Sequence, residues 1–282
     1  MRTGITDYYI KKYGLEAGAR RMAEHGYSCL DYQLTNTDGE LYALRDEDFL
    51  IRLTEIRKML NGAGITVEQI HGPWREPCDA TEEDRAERFE KMTKAIVMAR
   101  YLGAKYMAIH PLMPFGITGE NPEQLYAINK KFFVALASVA GKLGVTVCLE
   151  NMPFRDFPLS RVEDIVDFIK DIDSPHLKMC FDAGHANVFE GRIGDMVRCA
   201  GELIKTVHVH DNFGERDEHN VPYEGTVDWA DFAEGLFDIG FDGVLNLECA
   251  PVSPKFIENG IDADETVALE KELAKIARLI AG

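Results

Sequence analysis

The sequence contains no C-x-x-C pair, no low-complexity segment and no apolar run approaching the roughly 20 residues of a membrane span. Without paired cysteines, the six thiols (Cys29, Cys78, Cys148, Cys180, Cys199 and Cys249) read as reduced and structural. Cys148, Cys180 and Cys249 lie in or at the end of apolar strand-like runs, where a thiol behaves as a small hydrophobe. Without a long apolar run no membrane partner is expected. The opening Met1-Arg2-Thr3-Gly4 carries no signal-peptide pattern, so the expected location is cytoplasmic. Positive charge is also scarce: 31 Lys and Arg stand against 48 Asp and Glu, for a formal net charge of -17. That balance disfavours nonspecific attraction to nucleic acid or anionic membrane, although an acidic protein can still carry a local basic groove.

What is present is a strong rhythm. A hydrophobic content of 46% over 282 residues describes a soluble globular chain with an ample core, and this length suits a single α/β barrel. Eight short β-branched or apolar runs can be read: residues 3–7, 27–33, 65–71, 106–110, 145–150, 177–182, 205–210 and 243–249. Segments with helical spacing follow them, such as Phe49, Leu53, Ile56 and Leu60, or Leu125, Ile128, Phe132, Leu136 and Val139. Asp228 suits a helix N-cap, and the acidic stretch 79–84 suits a helix N-terminus, where carboxylates complement the dipole. Eight βα units predict a single (β/α)8 TIM barrel spanning residues 1–282. A doubly wound sheet is the competing architecture, but no Gly-rich phosphate turn follows the first strand.

Polar residues collect at the C-terminal ends of these runs, the face where barrel active sites sit. They are His71, His110, Glu150, Asp182, His208 and Glu248, on six consecutive predicted strands. His185 follows Asp182, and Asp217 and His219 follow the seventh strand. Each alone reads as a satisfied polar group; together they read as metal ligands. Two glutamates, an aspartate and a histidine make a hard, mostly oxygen shell that suits Mn²⁺, Mg²⁺ or Co²⁺ and tolerates Zn²⁺. Glu150, Asp182, His208 and Glu248 form the natural primary shell. His71 and His110 can reach a second metal that shares Glu150, and His185, Asp217 and His219 a third, so more than one zinc stays open. Trp74, Phe115, Phe154 and Phe213 fall in loops beyond strand ends, where an aromatic stacks on a sugar ring or caps the core. Lys178 and Lys205 begin strands and so belong to the opposite face.

The ordered motifs Ile70-His71-Gly72-Pro73, His110-Pro111, Leu149-Glu150-Asn151, Phe181-Asp182-Ala183-Gly184-His185, His208-Val209-His210-Asp211-Asn212, Gly225-Thr226-Val227-Asp228-Trp229 and Leu247-Glu248 run over essentially the whole chain. This set resembles the sugar phosphate isomerase/epimerase family of the xylose isomerase-like barrel superfamily. The resemblance to its ketose 3-epimerases implies one divalent metal on Glu150, Asp182, His208 and Glu248, with the two glutamates exchanging the substrate proton. It also implies that His185 and Arg216 contact sugar oxygens. A second branch, the endonuclease IV type, uses three zinc ions to hydrolyse phosphodiesters, and its nine-ligand pattern is matched by His71, His110, Glu150, Asp182, His185, His208, Asp217, His219 and Glu248.

The expectation is therefore a metal-dependent isomerase or epimerase acting on a sugar, sugar phosphate or sugar acid. The alternatives are a trinuclear zinc phosphodiesterase and a barrel that holds metal and sugar without turnover. The expected partner is a small carbohydrate, with a homo-oligomer left open. His210 matches no ligand of either pattern and is expected to contact substrate or to support a ligand from behind.

Overall fold

The structure, a computed structural model, describes residues 1–74, 79–250 and 263–282. Eight strands form a closed, all-parallel barrel in chain order: β1 (Arg2–Ile5), β2 (Cys29–Gln33), β3 (Thr66–His71), β4 (Tyr106–Ile109), β5 (Thr146–Glu150), β6 (Leu177–Asp182), β7 (Ile204–Val209) and β8 (Val244–Leu247). All eight predicted strands are present and each is trimmed at one end or both, except β6. As a result His110, His210 and Glu248 each sit just past the last residue of a strand rather than on it.

Parallel strands are buried on both faces, which explains runs such as Val147-Cys148-Leu149, all fully buried. The outer face packs on helices through one large apolar cluster that includes Leu53, Ile96, Phe133, Phe168 and Phe232. Inside the barrel the small side chains Ala108, Cys148 and Cys180 form their own cluster, and the cysteines there are free, as expected. Cys78 lies outside the described residues. Among the described residues no helix is long and apolar enough to cross a membrane.

Local sequence explains where helices start and stop. Thr81 and Asp84 close a capping box at the start of the helix Glu82–Leu102, and Asp228 Oδ1 accepts from the Asp231 amide at 3.0 Å. Gly26, with φ at 95°, ends the helix Leu15–His25 in the left-handed conformation. Asp79 departs from the expected helix-terminal role. It is buried, pairs with Arg88 (Nε to Oδ1, 2.6 Å) and accepts from the Met113 amide at 3.0 Å, pinning the loop after β4.

Two bulges adjust the inner face. Between β2 and β3 the register passes from Leu30↔Val67 to Asp31↔Gln69, skipping Glu68. Between β6 and β7 it passes from Met179↔Ile204 to Cys180↔Thr206, skipping Lys205. Bulges re-aim side chains, and here the first sets Asp31 beside Gln69 with both buried in the barrel.

Candidate metal centre

The strand ends converge as the rhythm predicts. Asp182 pairs in register with His208, and His208 with Asn246, so the expected ligands stand side by side around the mouth. His208 Nδ1 lies 2.7 Å from Glu150 Oε1, 3.0 Å from Glu248 Oε2 and 4.0 Å from Asp182 Oδ2. Ligand-capable atoms of these four residues all fall within 4.8 Å of one another. Glu150, Asp182 and His208 are fully buried, while the Glu248 side chain keeps 19% exposure and opens to the cavity above.

That cavity, about 130 Å³, is lined by His71, Trp74, His110, Phe154, His185, Asp217, His219 and Glu248, among others. Two further ligand-capable groups flank the first. His71 Nε2 and His110 Nε2 approach Glu150 Oε2 at 3.5 and 3.4 Å. On the other side His185, His210, Asp217 and His219 form a group of their own. His185 Nε2 and His219 Nε2 lie 3.3 and 3.2 Å from Asp217 Oδ2, and the His210 and His219 rings stack at 4.0 Å.

Backbone carbonyls orient several rings. Each carbonyl only accepts, so the facing ring nitrogen must carry a proton. His71 Nδ1 donates to Gly72 O at 2.8 Å, His185 Nδ1 to Asn151 O at 2.8 Å and His219 Nδ1 to Glu248 O at 2.6 Å. In each ring Nε2 is thereby the nitrogen left facing the carboxylates. Asn151 also clamps Asp182 through both backbone groups, at 2.9 and 3.0 Å, and Asp182 Oδ1 caps the short helix Ala183–Asn187 at the His185 amide, 2.6 Å away.

Charge is unevenly held. Burial alone would raise the Glu150 carboxyl, but His208, His110 and His71 hold it well below the usual range. Glu248 is likewise buried yet depressed, chiefly by His208. Burial lowers the His185 imidazole, but Asp182, Asp217 and Glu150 outweigh it and lift the ring to about 10; His219 is lifted to about 9 by Asp217 and Glu248. The Cys180 thiol, near Glu150 and His208, is pushed up to about 12 by burial and so stays protonated, a poor ligand.

The donor set fits a divalent cation. Three carboxylates face one point, which is costly unless a cation balances them. Among the described residues, Glu150 Oε2, Asp182 Oδ2, His110 Nδ1 and both nitrogens of His210 are buried without a hydrogen-bond partner, and buried polar atoms are rarely left so.

Three residues stand elsewhere than their sequence positions suggest. His210 is fully buried with Nε2 3.1 Å from Asp182 Oδ1, does not line the cavity, and belongs to the histidine group. Its ring fits because Gly184 has no side chain; a Cβ there would meet the imidazole at 2.0 Å. Arg216 does not line the cavity: its side chain is 80% exposed and pairs loosely with Glu218 at 3.9 Å. Phe213 is half exposed, whereas Trp74 lies against His110, centroids 5.1 Å apart.

Other residues were not legible as functional. Asp211, read only as part of a motif, is a buried knot that accepts from the amides of Asn212, Tyr223 and Val227 and from Trp229 Nε1, all at 2.9–3.1 Å. Gly225 lets the chain pass it, since a Cβ would fall 2.2 Å from Asp211 Oδ1. The knot folds the loop after β7 back over the mouth, carrying Asp217 and His219. Asp31 and Gln69 reach the far side of His208 from the barrel interior; their only sequence signal is a polar pair among apolar strand residues.

Comparisons with known proteins agree with this geometry. A family model described as xylose isomerase-like TIM barrel matches residues 19–274. An uncharacterised protein of Methanocaldococcus jannaschii is 26% identical over 254 residues, covering 88% of this chain and 83% of that one. D-psicose 3-epimerase of Ruminiclostridium cellulolyticum is 26% identical over 209 residues, covering 70% and 68%. Among solved structures, a D-tagatose 3-epimerase-like protein superposes with a TM-score of 0.73 at 26% identity over the full length of both chains. With eight parallel strands closed in order and a family match over nearly all its length, this chain belongs to the xylose isomerase-like TIM barrel family.

Proposed function

We propose that the protein is a divalent-metal-dependent sugar isomerase or epimerase that exchanges a substrate proton through Glu150 and Glu248. The observation that carries this reading is the convergence of both carboxylates on His208 Nδ1, at 2.7 and 3.0 Å, with Asp182 behind them. Relatives in the family that bear a name include sugar epimerases, which supports the same substrate class.

Glu150, Asp182, His208 and Glu248 would hold the ion. A divalent ion bound there polarises a carbonyl and acidifies the neighbouring C–H. Glu150 and Glu248 are both held ionised, so either can act as base, and a carboxylate on each face can remove or return a proton. Trp74 and Phe154 form apolar wall for the sugar, and His185 and His219, with raised basicity, can donate to its hydroxyls.

The test is proton exchange in D2O. Protein loaded with Mn²⁺, Co²⁺, Mg²⁺ or Zn²⁺ is incubated with a panel of ketoses, sugar acids and sugar phosphates, and deuterium at the carbon beside the carbonyl is followed by NMR. At least one substrate should exchange, and Glu248→Gln should slow exchange about 100-fold or more while bound metal is retained. Unchanged exchange in a metal-loaded Glu248→Gln protein would rule out the two-carboxylate mechanism, and sugar binding without exchange across the panel would favour a binding barrel.

A second reading has its own support. The group formed by His185, His210, Asp217 and His219 gives the site capacity for additional zinc, as in a trinuclear phosphodiesterase of the endonuclease IV type. Three tightly held zinc ions per chain, with cleavage of an abasic-site duplex, would favour it. A single exchangeable metal would exclude it.

A further inference from the structure

In three of the site's histidines a backbone carbonyl fixes the ring nitrogen that faces away from the carboxylates: Gly72 O for His71, Asn151 O for His185 and Glu248 O for His219. His208 is held instead by side chains on both of its nitrogens. Its Nδ1 faces Glu150 and Glu248, and its Nε2 points down the barrel axis to the carboxylate of Asp31, 3.0 Å away, with both side chains fully buried. We propose that Asp31 is a positioning residue that selects the Nε2–H tautomer of His208 and so turns the Nδ1 lone pair toward the metal position.

The inference rests on His208 Nδ1 being a metal ligand, as in the reading above. Two groups compete for Nε2. Gln69 Nε2 lies 2.8 Å away and favours an unprotonated nitrogen, which would place the proton on Nδ1 and block ligation. Asp31 can only accept and favours the protonated nitrogen. Asn246 Nδ2 donates to Gln69 Oε1 at 2.7 Å, which turns the Gln69 amide nitrogen to Asp31 Oδ2, 2.9 Å away. The amide thus has a carboxylate to donate to, and the imidazole keeps its own proton for the same oxygen. The arrangement exists because the bulge after Leu30 brings Asp31 level with Gln69, and because β7 pairs His208 with Asn246. Among the described residues the hydrogen bonds of the Asp31 side chain all fall on Oδ2, from Gln33, Gln69 and His208. A carboxylate behind a ligating imidazole fixes its tautomer and raises its basicity, and losing such a partner costs metal affinity about 10- to 100-fold.

The experiment measures metal rather than turnover. Mn²⁺ affinity is determined by titration calorimetry for the unaltered protein, Asp31→Asn and Asp31→Glu. In parallel, Zn²⁺-loaded unaltered protein with ¹⁵N-labelled histidine is examined by long-range ¹H–¹⁵N NMR. The expected results are affinity weaker by about 10- to 100-fold in Asp31→Asn, partial recovery in Asp31→Glu, and a His208 signal with the proton on Nε2 and the metal on Nδ1. Affinity within twofold of the unaltered protein in a folded Asp31→Asn would overturn the role of Asp31 while leaving the metal site intact. A His208 ring protonated on Nδ1 in the unaltered, zinc-loaded protein would overturn it even if the variants failed to fold. An unaltered protein that binds none of these ions would overturn both this inference and the reading beneath it.

Discussion

The centre contains two ligand groups of different construction. The first, Glu150, Asp182, His208 and Glu248, stands on or just past adjacent strands, is mostly carboxylate and lies almost wholly out of solvent. The second, His185, His210, Asp217 and His219, is mostly imidazole and hangs largely on loops; the Asp217 and His219 side chains keep 30% and 40% exposure. Oxygen donors on a rigid sheet suit Mn²⁺ or Mg²⁺, whereas imidazoles suit zinc. The difference teaches that one mouth can carry two donor sets of unlike hardness, mostly carboxylate at its floor and mostly imidazole at its rim. It also means that each group can be disturbed separately.

Glu150 offers the largest disturbance. Its Oε1 faces His208 and its Oε2 faces His71 and His110, so it belongs to the floor group and to the pair beside it. Glu150→Ala is expected to lower kcat/KM about 10³-fold or more and to empty the floor. Zinc held by the rim group should survive. Metal counts by mass spectrometry alongside kinetics check this, and loss of every bound metal would show that the two groups do not stand apart.

The converse variant is Asp211→Ala. Asp211 ties the loop that carries Asp217 and His219 by accepting four hydrogen bonds. Removing a buried acceptor that satisfies several donors should destabilise the fold by about 3 kcal/mol. Any metal taken up at the rim should be lost while the floor keeps its own. Denaturant unfolding and the same metal counts test it, and a rim that stays loaded would mean that the stacked His210 and His219 rings hold the loop without the knot.

The same division governs what could be read from the sequence. The convergence of strand-end polar residues such as His71, Glu150, Asp182 and His208 was legible because a one-residue motif repeating at βα spacing maps directly onto barrel geometry. Asp31 was not, because the bulge at Leu30 and Asp31 breaks the register from which its partner Gln69 would be inferred. His210 looked equivalent to His208 two residues away, but its role depends on Gly184 on the neighbouring segment leaving room for the ring. Arg216 has the expected position in the chain, yet the Asp211 knot sets the course of the loop and leaves Arg216 turned to solvent. Long-range contacts settle loops, whereas period settles strands.

The smallest expected effect is on pH dependence, and it again separates the groups. In metal-free protein the rim holds its charge as two imidazoles against Asp217, with His185 raised to about 10 and His219 to about 9. A histidine whose folded pKa exceeds its unfolded value stabilises in full below about 6.5 and loses that contribution as pH rises through the folded value. Asp217 is depressed by His185 and His219 despite its burial, so its share appears above the ordinary carboxylate range and is lost as pH falls below it. Metal-free protein should therefore be most stable between about pH 5 and 6.5 and lose a few degrees of Tm towards pH 10. His219→Asn should flatten the alkaline slope measured by differential scanning calorimetry. Because His185 and His208 are also raised, some slope should remain in that variant, and loading the floor with Mn²⁺ should remove the His208 share of it, since an imidazole that ligates through Nδ1 no longer takes up a proton there. An alkaline slope that is the same in the variant as in the unaltered protein would place the titrating charge outside the rim.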